Sequence, residues 1–428
     1  MSEVGTAAPW RGYERGERGY RRIVLALFAA GFATFTQIFG AQAVLLQLGD
    51  DLGISASSAA LTVSFTTIGV AVSVLPWASI ADRLGRTTAM RISISAAAVL
   101  GFVTPLMPTF ELILLARFVL GLSLGALPAV AMAYLAEEVS RKWLSVAAGT
   151  FIAGNILGGV LARLIAGVIA DLSGWRVGII VVSGLGALAA AAFVVSAPKA
   201  LGYLRSAHGG HSMSARLQYI FRHPQVLALY VQGFFIMGLF SAIYNYLGFH
   251  IVRDPLNLPV SFVSLLFLAY LAAMVSSRLA GSLVLRFEPL HIILSGLGTM
   301  VIGSAMMLSP VLPIVIVGLV VFTFGCFTAQ PVASMLTGQI PEIGRSQATA
   351  LFQIAWLGGS AVLGWSLGLV FESVGWTSTI ALVIVLVCVS AVVAVFGLGV
   401  LAKYRPTPPI AAIDGLVLNA KVVDTDSA

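Results

Sequence analysis

Charge is scarce in this 428-residue chain. Asp, Glu, Lys and Arg together make up 10% of it and hydrophobic residues 59%, against about 25% and 45–50% in a soluble domain. That balance excludes an ordinary soluble globular protein. Cysteine is scarcer still: Cys326 and Cys388 both sit inside apolar stretches, which rules out a disulfide framework or a thiolate metal site and leaves two small core hydrophobes. No His, Asp, Glu and Ser gather near one end of the apolar runs, as a membrane enzyme requires, and both tails are too short for a signalling domain. Neither a metal nor another cofactor is expected. Carboxylates are also missing from the central part of every apolar run.

What is present is long apolar sequence. A helix needs roughly 20 apolar residues to cross a bilayer. Runs of that order lie near 23–49, 54–80, 90–107, 111–136, 143–170, 176–197, 225–250, 258–284, 289–308, 311–337, 346–371 and 375–401. The stretch 289–341 holds no charged residue and is divided at "LSPVLP" (308–313), where two prolines suit a loop. Basic residues stay on the cytoplasmic side. With both termini inside, only Arg176 and Arg253 of the 24 Lys and Arg fall outside, and Arg117, Arg163 and Arg278 lie within spans. The net charge of +7 therefore reports topology, not a nucleic-acid partner. The "RGYERGERGYRR" run (11–22) reads as a solvated, positive-inside anchor. The first span follows it without a cleavage pattern, so no signal peptide is expected. The tail beyond Lys403 has no periodicity.

The longest polar connection, 198–224, carries three His and no acid. Its residues 214–222 suit an amphipathic surface helix, and its histidines read as solvated. It divides the chain into an N-tail (1–22), a six-helix bundle (23–197), a linker (198–224), a second six-helix bundle (225–401) and a C-tail (402–428). The halves resemble each other. At one offset of 201, Gly158, Gly167, Asp171, Gly174 and Trp175 meet Gly359, Gly368, Glu372, Gly375 and Trp376. Copies six spans apart run the same way through the membrane. Parallel repeats around a midplane site are a secondary-transporter plan. The fold class expected is an all-α polytopic membrane protein of twelve transmembrane helices in two parallel-repeat six-helix bundles.

The loop after the second span, "ASIADRLGRTTAM" (78–90), clusters Asp82, Arg83 and Arg86 around Gly85, which permits a turn other residues resist. Here the chain resembles the major facilitator superfamily, whose loop reads G-x-x-x-D-R-x-G-R-[RK]; Ala78 and Thr87 replace the first Gly and the last basic residue. The resemblance implies a gating role for Asp82, Arg83, Gly85 and Arg86. Two patterns are similar to those of the drug:proton antiporter branch. Arg117 and Gly121 keep an R-x-x-x-G spacing in the fourth span. Gly154, Gly158 and Gly159 keep part of g-x-x-x-G-P-x-x-G-G in the fifth, with Asn155 in place of Pro and Thr150 in place of the first Gly. These glycines read equally as packing or as function.

Arg117 and Arg163 lie roughly 9 and 12 Å below the same membrane face, at a cost of about 2.5–3.5 kcal/mol each on insertion scales. The nearest acids in sequence, Glu111 and Asp171, are poorly placed to pair with them. Two readings stand for each arginine: a brace that hydrogen-bonds the bundle, or an anion site. Further polar or aromatic candidates for a cavity are Gln37 and Gln42 in span 1, Asn155 in span 5, and Tyr244 and Asn245 in span 7. Gln330 in span 10 and Gln353 with Trp356 in span 11 complete the set. Glu111, with Asp50 and Asp51, is a candidate peripheral proton acceptor; Arg278 is expected to snorkel towards the cytoplasmic face. The resemblance implies a monomeric inner-membrane transporter that alternates access and exports a small organic molecule against protons. The surplus of buried positive charge favours an anionic or zwitterionic substrate over a cationic one. Uptake or exchange of an organic anion is the alternative, and a non-transporting membrane sensor a remote one.

Overall fold

The computed structural model describes residues 10–201, 213–259 and 261–400. Among them every regular element is helical, apart from one isolated bridge between Tyr13 and Val139. Spans 1 to 6 are Arg18–Leu52, Ala56–Leu84, Arg86–Leu106, Phe110–Glu138, Leu144–Ser173 and Trp175–Ser196. Spans 7 to 10 are Pro224–Ile251, Phe262–Leu283, Pro289–Met306 and Leu312–Gln339. Spans 11 and 12 are the two parts of helix Arg345–Ala394 on either side of Gly375, whose φ of 81° and ψ of −178° are not helical. The all-α, twelve-span expectation is met.

Backbone geometry marks the internal repeat. Gly174, between spans 5 and 6, has φ 88°, and Gly375, between spans 11 and 12, has φ 81°. Only glycine takes that region without strain, so the same residue breaks the same hairpin in both halves. The tryptophan after each is buried, and Trp376 Nε1 donates to the Met307 carbonyl at 2.9 Å.

The described residues form two compact units. One holds those up to Ala41 together with Val72 to the linker; the other holds Gln42–Ala71 together with those beyond the linker. In the first unit, span 1 packs on spans 5 and 6, and span 3 on spans 4 and 6. Small residues set the closest approach: a Cβ on Gly154 would run into the Phe28 carbonyl, and one on Gly158 into that of Phe32. In the second unit, Gly359 meets the Phe234 carbonyl of span 7 in the same way. Without a hydrophobic force between helices in lipid, such backbone proximity is what holds them together.

Three polar segments differ from their sequence reading or extend it. The linker helix forms at Met213–Phe221, but His223 beside it is buried against the Tyr219 ring, not solvated; His208 and His211 lie outside the described residues. The tail beyond Lys403 also lies outside them. The basic N-tail is more than a solvated anchor. Tyr13 N donates to the Glu138 carbonyl and Ser140 N to that of Tyr13. Trp10 Nε1 donates to the Glu137 carbonyl at 3.0 Å, and Trp143 Nε1 to Glu14 Oε2 at 2.8 Å. Trp10 and Trp143 carry the signal for this docking: aromatic residues with an N–H that needs a partner.

The glycine contacts give a direct prediction. Gly158→Ala should lower stability by about 1–3 kcal/mol through overpacking, read as a fall in the thermal unfolding temperature. Gly149→Ala, on the same helix with open space around its Cβ position, should leave it unchanged or raise it.

Candidate functional site

The first span is not one continuous α-helix. It runs α-helical over Arg18–Phe39, tightens into a 3₁₀ turn at Gly40–Val44 and resumes over Leu45–Leu52. A helix end leaves carbonyls without intrahelical partners, and in lipid these must be satisfied within the protein. Arg117 does this. Its Nη1 donates to the Gln37 carbonyl at 2.9 Å and its Nη2 to the Ile38 carbonyl at 2.8 Å, with the side chain 2% exposed. A cation there also meets the negative end of the helix dipole. Arg163, 1% exposed, donates from Nη1 to the Gly159 carbonyl at 2.9 Å, and its guanidinium lies 4.5 Å from the centre of the Phe39 ring. Both arginines thus converge on residues 37–39.

The other first-unit candidates point into the bundle. Gln37 is buried, its amide filling the space that Gly101 and Gly186 leave open. Asn155 Oδ1 occupies the space over Gly31 of span 1, so this residue seats spans 1 and 5 against each other. Gly121 is buried in span 4. Glu111, by contrast, is exposed.

In the second unit Gln42 and Asn245 meet each other. Gln42 Nε2 donates to Asn245 Oδ1 at 2.7 Å, while Asn245 Nδ2 donates to the Gly364 carbonyl at 3.1 Å. Tyr244 shares a hydrogen bond of 2.7 Å with Thr323 Oγ1 and packs among the rings of Phe240, Phe267 and Tyr270. Gln330 and Trp356 line one crevice with Ile236, Met237, Phe240, Cys326 and Phe327. Gln353, half-buried one turn before Trp356, is not part of its walls. Arg278 is exposed on span 8.

The charged loop is organised around a residue that sequence reading passed over. Gly85, at φ 90°, separates span 2 from span 3. Arg86 bonds Asp82 through Nη1 at 2.8 Å and Glu137 Oε1 through Nε and Nη2 at 3.3 and 3.2 Å; Arg83 is exposed. Glu137 and Glu138 end span 4. Glu138 is fully buried and its Oε1 accepts from Leu201 N, at the start of the linker. Two adjacent acids closing a span in so acid-poor a chain were the available signal.

Twelve apolar helices in two halves of like design, a charged loop clamped to the end of span 4 and an aromatic crevice with an amide define a multi-pass membrane transporter. Residues 24–337 match the model of the Major Facilitator Superfamily, and the chain belongs to that superfamily, whose members are transporters and not enzymes. It is 28% identical to the MFS-type transporter YybF of Bacillus subtilis (strain 168) over 373 residues, 86% of this chain and 91% of that one. It is also 28% identical to the inner membrane transport protein YnfM of Escherichia coli (strain K12) over 380 residues, covering 89% and 91%. Its fold is similar to that of a bacterial homolog of the human lysosomal transporter Spinster in an inward-facing and occupied conformation. The TM-score is 0.74 at 17% identity, over 92% of this chain and all of that one.

The loop network predicts a coupling. Arg86→Gln and Glu137→Gln should each slow transport. The double variant should be no worse than the more severe single one, because both remove the same half-buried contact. Effects that simply add would show that the two side chains act separately.

Proposed function

We propose that this chain is an inner-membrane exporter with both termini cytoplasmic, working as a monomer that trades protons for a small, weakly polar organic molecule. The observation that carries the substrate reading is the crevice of span 7, 10 and 11 residues. Its walls are neutral: the Phe240 and Phe327 rings offer faces, the Trp356 indole a donor, and Gln330 a donor and an acceptor. The crevice is almost closed, with about 10 Å³ of free volume, so its walls have to part to admit a compound; parted, they suit a flat one held mainly by apolar and aromatic contact, with one or two hydrogen bonds to orient it.

Arg117 and Arg163 support this reading over an anionic substrate. Arg117 donates to two carbonyl oxygens and Arg163 to a third, with the Phe39 ring against its guanidinium, all inside the first unit, which is what a brace needs. Export against protons is supported by the antiporter-like spacing of Arg117 with Gly121 and of Gly154 with Gly158 and Gly159. With carboxylates absent from the middle of the spans, the groups that respond to protons are those at span ends. The clamp of Arg86 on Asp82 and Glu137 supplies a gate at the cytoplasmic end, holding spans 2, 3 and 4 together until it opens.

Proteoliposomes loaded with a pH-sensitive dye test the reading with neutral, cationic and anionic aromatic compounds. Proton movement is expected with the neutral or cationic ones. Trp356→Ala should raise their KM roughly tenfold, the value of one lost aromatic contact. Arg163→Gln should lower the unfolding temperature without changing compound preference. Flux with anions alone, lost in a folded Arg163→Gln variant, would replace the proposal with uptake or exchange of an organic anion.

A further inference from the structure

Within the second unit, Gln42–Ala71 brings the far end of span 1 and the first half of span 2 against spans 7 and 11. Three hydrogen-bonded contacts among the described residues help to fasten it. Gln42 bonds Asn245 of span 7, and Ser64 Oγ donates to the Ala361 carbonyl of span 11 at 2.9 Å. The third carries charge: Ser57 N donates to Glu372 Oε1 at 2.6 Å and Ser57 Oγ to Glu372 Oε2 at 3.0 Å. Ser57 is buried, the second residue of helix Ala56–Leu84, while Glu372 is exposed on span 11. One carboxylate therefore takes both a main-chain amide that the helix cannot satisfy and the adjoining hydroxyl. An anion at a helix N-terminus also gains from the dipole, and bonds to a charged acceptor are about twice as strong as neutral ones.

We propose that the Glu372 carboxylate on the Ser57 amide and hydroxyl is the latch of the gate at the end of the protein far from its termini. The proposal rests on the alternating-access reading above. The other two contacts join buried neutral groups, whereas Glu372 is the charged partner, placed at the exposed rim where the docked arrangement first opens. Its place next to Phe371, whose ring stacks on Tyr246 of span 7 at 5.5 Å, fixes its backbone against that span. Alternating access requires residues 42–71 to leave spans 7 and 11 once per cycle. The strength of this one contact then sets how often the gate opens. Removing the carboxylate shifts the population towards the undocked state.

The test reads the gate without reference to any substrate. In a full-length chain with Cys388→Ala and native Cys326, which lines the crevice, Ser64→Cys places a thiol at the buried contact with span 11, and the same chain without Ser64→Cys gives the background. The reaction of the introduced thiol with a membrane-impermeant maleimide is followed in proteoliposomes, with thermal unfolding as the check on folding. Glu372→Ala should speed labelling at least about tenfold, the worth of a charge-assisted hydrogen bond. The isosteric Glu372→Gln, which retains one acceptor, should fall between. Glu288→Ala, an exposed acid elsewhere, should match the parent. Labelling of Glu372→Ala at the parent rate overturns the latch. If labelling quickens while no compound is transported, the latch stands and the exporter reading falls. If labelling is unchanged while export proceeds, the exporter reading stands and the latch falls.

Discussion

A bilayer offers no water to a peptide carbonyl, so any interruption of a spanning helix has to be repaired by the protein itself. The 3₁₀ turn at Gly40–Val44 creates that need, and the Arg117 guanidinium meets it with two donors on adjacent carbonyls. Each half of the arrangement is unfavourable alone: an arginine in lipid costs about 2.5–3.5 kcal/mol, and an unpaired carbonyl there costs several more. Together they are a stable element. Phe39, directly after the two carbonyls, carries Arg163 over its ring, and Thr36 Oγ1 donates to the Gly158 carbonyl at 3.2 Å. The tight seating of span 1 on span 5 is thus built around the break, and the course of the chain into Gln42–Ala71 starts from it.

The two halves share a plan but not their polar chemistry. Both use a positive-φ glycine before a buried tryptophan, and both pack a glycine of the fifth or eleventh span on a phenylalanine carbonyl. Among the described residues, however, the buried arginines, Arg117 and Arg163, belong to the first. The second satisfies its interior with neutral groups: Gln232 with Ser390, Tyr244 with Thr323, and Tyr246 with the Gly364 carbonyl. Span 7 runs unbroken as an α-helix over Pro224–Ile251, so no pair of freed carbonyls calls for an arginine there. The duplicated design has diverged where backbone geometry changed what each half had to satisfy.

Span number and the repeat were legible in the sequence because each depends on local composition, apolar length in one case and a Gly, acid, Gly-Trp spacing in the other. Arg117 and Arg163 were legible as residues that need a partner. The kind of partner was legible too, as a hydrogen-bonding brace, but not which oxygens, because main-chain carbonyls freed by a turn carry no side-chain signature and no proline announces this one. Gln42 and Asn245 were each picked out for polarity, but their pairing across 203 residues of chain is a product of tertiary structure. Glu137 was missed because it sits just past the end of an apolar run, where an acid looks like solvent-facing trim. The tail tryptophan and tyrosine were outweighed by the arginines around them.

The docked N-tail carries a consequence for the order of events during synthesis. Trp10 and the carbonyl it bonds are separated by 127 residues. At roughly 5–20 residues per second, the tail leaves the ribosome on the order of ten seconds before its docking surface exists. For that interval its five arginines lie free of the surface the tail later docks on. The same residues fold into the Glu137–Trp143 turn only after the fourth span has been inserted. The tail's place in the fold is thus completed from the far side of four spans, a late closure of the earliest segment made.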